Sequence, residues 1–446
     1  MKVTFQIEGA SPVEIECNAG DNLLELARRA NVAIDAPCSG NGSCGKCRVK
    51  LIEGEVESIP SRHITDEEYN AGWRLSCNCK VVSDCTVWVP DIASAYQSRM
   101  KTADLSSPKE IAIFEDAKAD LAASGIHFTN NFRSVVVSME APTLDDTMPD
   151  IERFTWAVQA ELGVQTVKVP YAVMVKLAHT LREHDFTVCV KGELQGDTFL
   201  CMEISAPADT VIAGCAIDIG TTTVTMVLTD LVSGKLLAKG SSGNGQIRYG
   251  ADVINRIIQQ GRPGGRKKLQ DAIIKETLTP IIANLCKSAD ISARSILRLC
   301  VGANTTMNHL FVGVDAEPVR MEPYIPSFFG WEGLLAGDLK LPAHPLAPVR
   351  IAPNIGSYVG GDITAGTLAS LIWDKDEMSL FIDLGTNGEL VFGNRDFLMS
   401  CACSAGPAFE GGDISCGMRA TDGAVEACVI DRDTMEPELT IVGDEG

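Results

Sequence analysis

The sequence predicts a multidomain chain of the α/β and α+β classes, with about three separate cores built from strands and helices. Three observations lead to this prediction. The chain has 446 residues, which is too long for one hydrophobic core and typical of about three domains. Six of its 16 cysteines lie between Cys38 and Cys85. A strand-turn-strand pattern at Cys215 is repeated 165 residues later at Leu380.

Charge and composition exclude several classes of partner. The net charge of -21 would repel nucleic acids and anionic membranes, so neither is expected as a partner. The sequence has no run of about 18 apolar residues, and it starts without a signal-peptide pattern. These features predict a cytoplasmic protein. In a reducing compartment, 16 cysteines favour metal binding or redox chemistry over disulfides.

The segment APCSGNGSCGKC, residues 36–47, matches three motifs at first inspection. A phosphate-binding P-loop would need a buried strand before it and a Ser or Thr after the lysine, but Cys47 occupies that position. A dinucleotide-binding loop would lead into a helix, whereas the following CRVKLIEGEV alternates like a strand. Both of these interpretations therefore fail.

The cysteine spacing favours the third interpretation, an iron–sulfur cluster. Four thiolates hold a [2Fe–2S] centre, and the glycines between them let backbone N–H groups approach the sulfur atoms. The predicted ligands are Cys38, Cys44, Cys47 and Cys77. Zinc is the alternative metal, although the usual pair of C-x2-C motifs is absent. Cys79 and Cys85 compete for the fourth position, and Cys77 is preferred for its setting in RLSC.

The flanking sequence predicts a small domain over residues 1–92. VTFQIEG and PVEIEC alternate like a hairpin, Asp21 is a suitable N-cap for a helix in NLLELARRA, and Thr65 with Glu68 forms a capping box. Strands are expected in RLSCNCKVV and TVWVP. This segment resembles the [2Fe–2S] ferredoxins with C-x5-C-x2-C spacing, which implies a β-grasp fold.

Two further segments precede the repeated pattern. Residues 93–125 are polar and are expected to form a linker with one helix. Residues 126–208 predict a small α+β middle domain. It would contain a strand in SVVVSME, helices from Met148 and over Tyr171 to Glu183, and strands in DFTVCVKG and FLCMEISA. It has no recognisable catalytic set, so positioning or a homodimer contact is its expected role.

The repeat itself consists of CAIDIGTTTVTMVL and LFIDLGTNGELVFG, within a predicted domain at 209–446. Each copy is a buried strand that ends near an aspartate, a tight turn and a returning strand. Such a turn directs N–H groups and hydroxyls at phosphate oxygens, and the aspartate holds Mg²⁺ through water. The alternative is an ordinary hairpin whose aspartate caps its own turn.

Two such copies resemble the superfamily of acetate kinases, sugar kinases, actin and heat-shock chaperones, which binds ATP between two ribonuclease-H-like halves. The whole chain resembles the reductive activators of corrinoid enzymes. That resemblance includes the motifs NGQIRYGADVINRI, GANTTMNHL, GGDITAG and CSAGPAFEGGDISCGMRA. It also implies further elements of the second half after TIVGDEG, so this half is expected to be incomplete here.

The resemblance implies a set of nucleotide-site residues. Asp218 and Asp383 would be catalytic, and Asp362 would lie in the cleft unless it is only the N-cap of the helix in ITAGTLASLIW. The implied nucleotide-binding residues are Thr221, Thr222, Thr223, Gly385, Thr386, Asn387, Gly406, Gly411 and Gly412.

The function implied by the resemblance is ATP-dependent and Mg²⁺-dependent transfer of one electron from the cluster to Co(II) in a corrinoid protein of a methyltransferase system. A low-potential donor would reduce the cluster. Two alternatives remain open at this point. One is a small-molecule kinase with a fused ferredoxin, and the other is an electron carrier with a vestigial nucleotide fold.

Overall fold

The computed structural model describes residues 1–7, 12–30, 32, 34, 36, 45–90, 102–103, 108–128, 131–250, 252–385, 388–403, 425–430 and 434–441. In this part of the chain no helix combines the length and the apolar content needed to cross a membrane.

A five-stranded mixed sheet with one helix across it forms the N-terminal unit. Its elements are β1 Lys2–Ile7, β2 Val13–Glu16, α1 Leu23–Arg29, β3 Arg48–Glu53, β4 Val56–Ser58, α2 Asp66–Asn70, β5 Trp73–Leu75, β6 Cys79–Val81 and β7 Cys85–Val89. The strand order is β2-β1-β7-β3-β5, and β4 pairs with β6. Leu23 and Leu26 of α1 are buried against Val3 and Phe5 of β1. This arrangement confirms the predicted β-grasp fold.

The start of α1 differs by one residue from the prediction. The N-cap is Asn22, whose side chain accepts hydrogen bonds from the N–H groups of Leu24 and Glu25. Asp21 was expected there, but its carboxylate accepts a hydrogen bond from the N–H of Asn18 in the preceding turn. The predicted capping box of Thr65 and Glu68 at α2 is confirmed.

The segment RLSCNCKVV does not form one continuous strand. A 3₁₀ turn, Ser76–Asn78, separates β5 from β6. The alternating pattern was not sufficient to detect this break, because the turn depends on contacts with residues distant in sequence.

A second unit follows one helix, as expected. Its elements, after β8 Thr102–Ala103 and α3 Pro108–Ala123, are β9 Phe132–Ser138, α4 Asp150–Leu162, β10 Thr166–Lys168, α5 Tyr171–Glu183, β11 Thr187–Gln195 and β12 Thr198–Ser205. The four strands run in the order β10-β12-β11-β9, with both helices packed on the sheet. The predicted α+β fold is confirmed, although β10 was not predicted.

A six-stranded sheet forms the third unit. Its strands are β13 Ala213–Ile219, β14 Thr223–Asp230, β15 Leu236–Gly243, β16 Ile296–Ala303 and β17 Val349–Ile351, with β8 at one edge. The order is β17-β16-β13-β14-β15-β8, and β16 is parallel to both β13 and β17. Three antiparallel strands followed by two parallel ones agree with the ribonuclease-H-like half that the resemblance implies. The helices are α6 Val253–Gln260, α7 Gly265–Ile273, α8 Thr279–Ser288, α9 Thr305–Val312, α10 Glu317–Arg320, α11 Ala336–Leu339 and α12 Gly361–Ser370.

A buried ionic cluster joins the second and third units. Glu203 of β12 is only 4% exposed and forms ion pairs with Lys176 and with Arg294, the latter at 2.8 Å. It also lies 3.3 Å from the imidazole of His344, which is neutral because burial lowers its pKa to about 4. Lys176 belongs to α5, whereas Arg294 and His344 belong to the third unit. Apolar residues, among them Met202 and Leu297, are buried beside this contact.

The remaining strands lie after α12. They are β18 Ser379–Leu384, β19 Gly388–Gly393, β20 Leu398–Cys403, β21 Val425–Ile430 and β22 Pro437–Ile441. The sheet β18-β19-β20 contains the second copy of the repeat as an antiparallel hairpin, and β21 pairs with β22.

Candidate functional site

The first candidate site lies beside the N-terminal sheet, where two of the four predicted cluster ligands are in contact. Cys47 immediately precedes β3, Cys77 lies in the 3₁₀ turn, and their Sγ atoms are 3.2 Å apart. Cys38 and Cys44 lie outside the described residues. The structure therefore brings together the half of the predicted ligand set that it describes.

Hydrogen bonds explain why the 3₁₀ turn forms at this point. The N–H of Ser76 donates to the carbonyl of Cys47 over 2.8 Å, and the side chain of Asn22 donates to the carbonyl of Cys77 over 2.7 Å. Asn22 therefore caps α1 with its oxygen and holds the turn with its nitrogen. The helix and the two thiols are positioned by the same side chain.

Of the three glycines in the predicted cluster loop, Gly45 is described, whereas Gly40 and Gly42 lie outside the described residues. Gly45 has a φ of +66°, and a Cβ atom there would lie 2.6 Å from the Cβ of His63. Both observations require glycine at this position.

The thiols near this site differ in their readiness to ionise. A hydrogen bond from the Cys77 thiol lowers the pKa of Cys47 to about 6, although burial opposes the shift. Burial raises the pKa of Cys79 to about 12 and that of Cys85 to about 11. Because metals bind the thiolate form, the contact between Cys47 and Cys77 fits a metal ligand pair and the core thiols do not.

The second candidate site is formed by the aspartates of the two repeated hairpins. Asp218 and Asp383 are the penultimate residues of β13 and β18. Asp218 lies level with Gly302 of β16, and a Cβ atom on Gly302 would lie 3.9 Å from the Cα of Asp362. These contacts bring the start of α12 to the same place.

The three carboxylates influence one another electrostatically. Burial, followed by the charges of Asp362 and Asp383, raises the pKa of Asp218 to about 6. Burial and the charge of Asp383 raise the pKa of Asp362 to about 6, and burial also raises that of Asp383. A region of crowded negative charge is suited to a cation. Among the described residues, however, no three His, Cys, Asp or Glu side chains are close enough to coordinate one metal ion directly.

The carbonyl groups of the turn after Asp218 accept hydrogen bonds from residues packed against one side of the turn. The side chain of Asn244 donates to the carbonyl of Gly220 over 2.8 Å, and its backbone N–H donates to that of Thr222 over 2.8 Å. The guanidinium of Arg256 donates to the carbonyl of Thr221. Each carbonyl of the turn thus has a donor on the same side.

This arrangement determines the direction of the N–H groups. In a planar trans peptide the N–H points opposite to the carbonyl before it, so the N–H groups of Thr221 and Thr222 point away from Asn244 and Arg256. Neither N–H has an acceptor among the residues that the structure describes. Successive unpaired N–H groups form a concavity that suits phosphate oxygens.

Helix α9 supports the same turn. Its N-cap Asn304 accepts a hydrogen bond from the N–H of Met307 over 2.9 Å and donates to the hydroxyl of Thr221 over 3.1 Å. Farther along α9, the side chain of Asn308 donates to that of Asn354 over 2.9 Å. Asn354 in turn accepts a hydrogen bond from the first N–H of α12 over 3.0 Å.

Asp362 is not the N-cap of α12. That position is Gly360, and Asp362 is the second residue of the helix. Its carboxylate accepts a hydrogen bond from the N–H of Ile363 over 2.9 Å. The backbone enters the helix two residues earlier than the pattern predicted because the side chain of Asn354 accepts the N–H of Gly361. Glycine is required before it, since a Cβ atom on Gly360 would lie only 2.3 Å from the Cα of Asn304.

The structure describes four of the nine predicted nucleotide-binding residues. Thr221 is buried, Thr222 is partly buried, and Thr223 is exposed at the start of β14. Gly385 follows β18. The predicted residues that lie outside the described part of the chain are Thr386, Asn387, Gly406, Gly411 and Gly412.

Sequence reasoning missed the polar residues behind the turn. Asn244, Arg256 and Asn304 are not in the repeated hairpins, although each falls within a motif that the resemblance singled out. Asn is a common N-cap residue, and its position before the apolar residues of MNHLFV was the available signal for Asn304. No local pattern indicated that Asn244 and Arg256 contact a turn more than 20 residues away.

Four family models match successive parts of the chain. They describe the 2Fe-2S iron-sulfur cluster binding domain at residues 5–82, the RACo linker region at 122–198, the RACo middle region at 213–375, and the C-terminal domain of RACo, the ASKHA domain, at 377–446. The six-stranded sheet thus falls in the RACo middle region. The α+β unit before it falls largely in the RACo linker region.

Individual proteins are also similar to this chain. The corrinoid activation enzyme RamQ of Eubacterium limosum is 30% identical over 419 residues, which are 93% of this chain and 63% of RamQ, so the chain spans less than two thirds of the length of that enzyme. A solved structure, a reductive activator for corrinoid, iron-sulfur protein, matches 99% of this chain and 69% of that chain, with 35% identity and a TM-score of 0.60. The Na⁺-translocating NADH-quinone reductase of Pseudomonas aeruginosa contains a polypeptide that is 35% identical over 91 residues, which are 20% of this chain and 22% of that polypeptide.

Proposed function

The chain belongs to the RACo family of reductive activators of corrinoid proteins, and on that premise we propose that it couples ATP to a one-electron reduction. The acceptor is Co(II) in the corrinoid protein of a methyltransferase system, and the product is Co(I). The observation that carries this proposal is the presence, on one chain, of a thiol pair suited to a metal and an acidic cleft with an outward-facing amide turn.

The proposed cluster ligands are Cys38, Cys44, Cys47 and Cys77. The contact between Cys47 and Cys77 supports this set, and the match of residues 5–82 to a 2Fe-2S domain supports the cluster type. When bound, such a cluster supplies one electron at a time. Asn22 and the turn that it holds would keep the two thiolates in place for the metal.

The proposed nucleotide site uses both hairpins. Thr221, Thr222 and Thr223 would bind phosphate oxygens, and Asp218 and Asp383 would hold Mg²⁺ through water. The second turn would add Gly385, Thr386 and Asn387, and the glycines Gly406, Gly411 and Gly412 would lie towards the nucleotide. The unpaired N–H groups of the first turn support this assignment.

The proposed role of ATP is energetic. A plant-type [2Fe–2S] centre has a potential of about -400 mV, and each further 59 mV or so of uphill transfer costs about 1.4 kcal/mol. ATP offsets such a gap only if it binds two conformations of the protein with different affinity. The proposed closed state holds the corrinoid protein, and hydrolysis releases it.

Optical spectroscopy tests the proposal. The protein with its cluster is mixed anaerobically with a candidate corrinoid protein and a low-potential reductant, and the Co(II) and Co(I) bands are followed with and without Mg-ATP. We expect Co(I) to accumulate only with ATP. Equal Co(I) formation without ATP would instead support the electron carrier, and transfer of phosphate to a small molecule with no need for a corrinoid protein would support the kinase.

A further inference from the structure

Arg256 of α6 is a buried cation that the proposed reaction does not yet use. Its side chain is 0% exposed, and its donors are directed at neutral acceptors. They reach the carbonyl of Gly250 at 2.9 Å, the side-chain oxygen of Gln246 at 3.3 Å and the sulfur of Met307 at 3.1 Å, besides the carbonyl of Thr221.

No carboxylate in the described part of the chain forms an ion pair with this guanidinium. Asp252, the N-cap of the same helix, accepts hydrogen bonds from the backbone and the side chain of Asn255 instead. Burial lowers the pKa of Arg256 to about 9, although the nearby charge of Asp252 opposes the shift, so the side chain is still charged at neutral pH. A buried guanidinium that forms no direct ion pair is costly, and a neutral donor could make the same hydrogen bonds.

The position of Arg256 indicates where its counter-ion belongs. The guanidinium contacts the carbonyl side of the peptide between Thr221 and Thr222, and the free N–H of Thr222 is on the other side of that peptide. An anion bound by this N–H would lie roughly 8 Å from the guanidinium, the sum of two hydrogen bonds and one peptide unit. The positive charge therefore stands directly behind the phosphate turn.

Negative charge in the cleft has to be offset before a phosphate chain can bind there. Asp218, Asp362 and Asp383 crowd the same cleft, and the chain carries a net charge of -21. A phosphate chain that approaches the turn meets this negative field. Among the charged residues that contact the turn in the described structure, Arg256 is the cation that offsets it.

We propose that Arg256 is a positioning residue that supplies fixed positive charge for a polyphosphate chain bound at the Thr221–Thr222 turn, without touching the ligand. This role deepens the nucleotide site of the proposed function and rests on it. The charge, rather than the hydrogen bonds, is what the site requires, and the specificity that it confers is for the phosphates and not for the base or the sugar.

Calorimetric titration of charge-conserving and charge-removing variants tests this role. The ligands are tripolyphosphate, ADP and adenosine, in Mg²⁺-free buffer at low and moderate salt. We expect Arg256→Gln to lose about thirtyfold in affinity for tripolyphosphate and for ADP, because a charge at this distance in a protein interior contributes on that order. Arg256→Lys should retain most of the affinity, and the salt dependence of tripolyphosphate binding should weaken only in Arg256→Gln.

Arg248→Gln is the matched control, because Arg248 lies in the same motif but pairs with Glu276 at the surface. It should bind all ligands like the wild type. Unchanged tripolyphosphate affinity in Arg256→Gln would overturn the role of Arg256. So would an equal loss of every ligand, adenosine included, in the Gln and Lys variants together with a lowered melting temperature. Wild-type protein that binds neither tripolyphosphate nor ADP would instead overturn the nucleotide site itself.

Discussion

Cys77 and Cys79 are two positions apart and lie in opposite environments. Cys77 contacts Cys47 in the 3₁₀ turn, whereas Cys79 is 0% exposed within the apolar core of the N-terminal sheet. Cys77→Ser should therefore abolish the visible absorption of the cluster and the content of iron and sulfide. Cys79→Ala should keep both and lose only about 1 kcal/mol of stability from a small cavity.

Iron and sulfide analysis of the two purified variants checks this prediction, with melting curves to show that both are folded. Colour and iron retained in Cys77→Ser but lost in Cys79→Ala would assign the fourth ligand to Cys79.

The charge of Asp362 is expected to lower the stability of the nucleotide-free protein. Its pKa of about 6 means that it is charged, and unfavourably so, above pH 6 and neutral below it. Asp362→Asn should therefore raise the melting temperature at pH 7.5 by about 3 °C, equivalent to about 1 kcal/mol in a domain of this size. The gain should shrink as the pH falls below about 6 and disappear only near pH 4, where this carboxyl is protonated in the unfolded chain as well.

Calorimetric melting at both pH values measures this difference. Asp396→Asn is the control, because Asp396 is exposed in the same half of the chain and its replacement should change neither value. A gain at pH 4 as large as that at pH 7.5 would contradict the assigned electrostatic cause.

Individual residues could be predicted where chemistry is encoded locally. The contact of Cys77 with Cys47 follows the cysteine spacing, and Asp218 and Asp383 follow a repeated pattern, while the roles of these residues stay predictions. Asn244 and Arg256 could not be found this way, because their function is to hold Thr221 and its neighbours from 24 and 35 residues away. A side chain that acts through the backbone of a distant turn leaves no periodic signal.

Helix α9 links its own stability to the shape of the phosphate turn through Asn304. Asn304→Asp keeps an oxygen that can cap the helix but loses the donor to the hydroxyl of Thr221 and adds a negative charge. We expect at least about tenfold weaker ADP binding, the worth of a lost hydrogen bond and some repulsion, with little change in melting temperature. Asn304→Ala should lose the cap as well and about 1 kcal/mol of stability.

Titration calorimetry and melting curves of the two variants separate these effects. The outcome that would refute the link is full ADP affinity in Asn304→Asp.

Helices and strands were predicted well where the local residue pattern alone determines them. The hairpin of β1 and β2, the helix α5 and the two repeated hairpins agree with their patterns. The errors lie at element ends. The cap of α1 moved to Asn22, and α12 begins before Asp362, because contacts with the 3₁₀ turn and with Asn354 determine those ends.

At the scale of the molecule, the ionic cluster at Glu203 fastens the second unit to the third. Glu203→Gln removes the anion that pairs with the two cations Lys176 and Arg294, so it should lower the free energy of unfolding by about 3 kcal/mol, as expected for a broken buried ion pair. Glu193→Gln is the comparison, since Glu193 pairs with Arg298 alone across the same contact, and it should cost only about 1 kcal/mol.

Urea unfolding followed by circular dichroism measures both variants. Equal midpoints for Glu203→Gln and the wild type would mean that the cluster does not hold the two units together.

The order of units was predictable from the sequence because each unit has its own composition and pattern. The limits 1–92, 93–125, 126–208 and 209–446 stay predictions. The contact between the second and third units was not predictable, because Glu203 and its partners Arg294 and His344 are about 90 residues or more apart and no pattern connects them.

Strand β8 limits the distance between the N-terminal ferredoxin unit and the six-stranded sheet. It pairs with β15 at the edge of the six-stranded sheet, and 12 peptide steps separate Pro90, after the last strand of the ferredoxin unit, from Thr102. Whatever path those residues take, the ferredoxin unit stays within a radius of about 42 Å of that edge. Confinement to such a sphere corresponds to a local concentration of millimolar order. The same unit supplied as a separate molecule would have to reach that concentration to meet the six-stranded sheet as often.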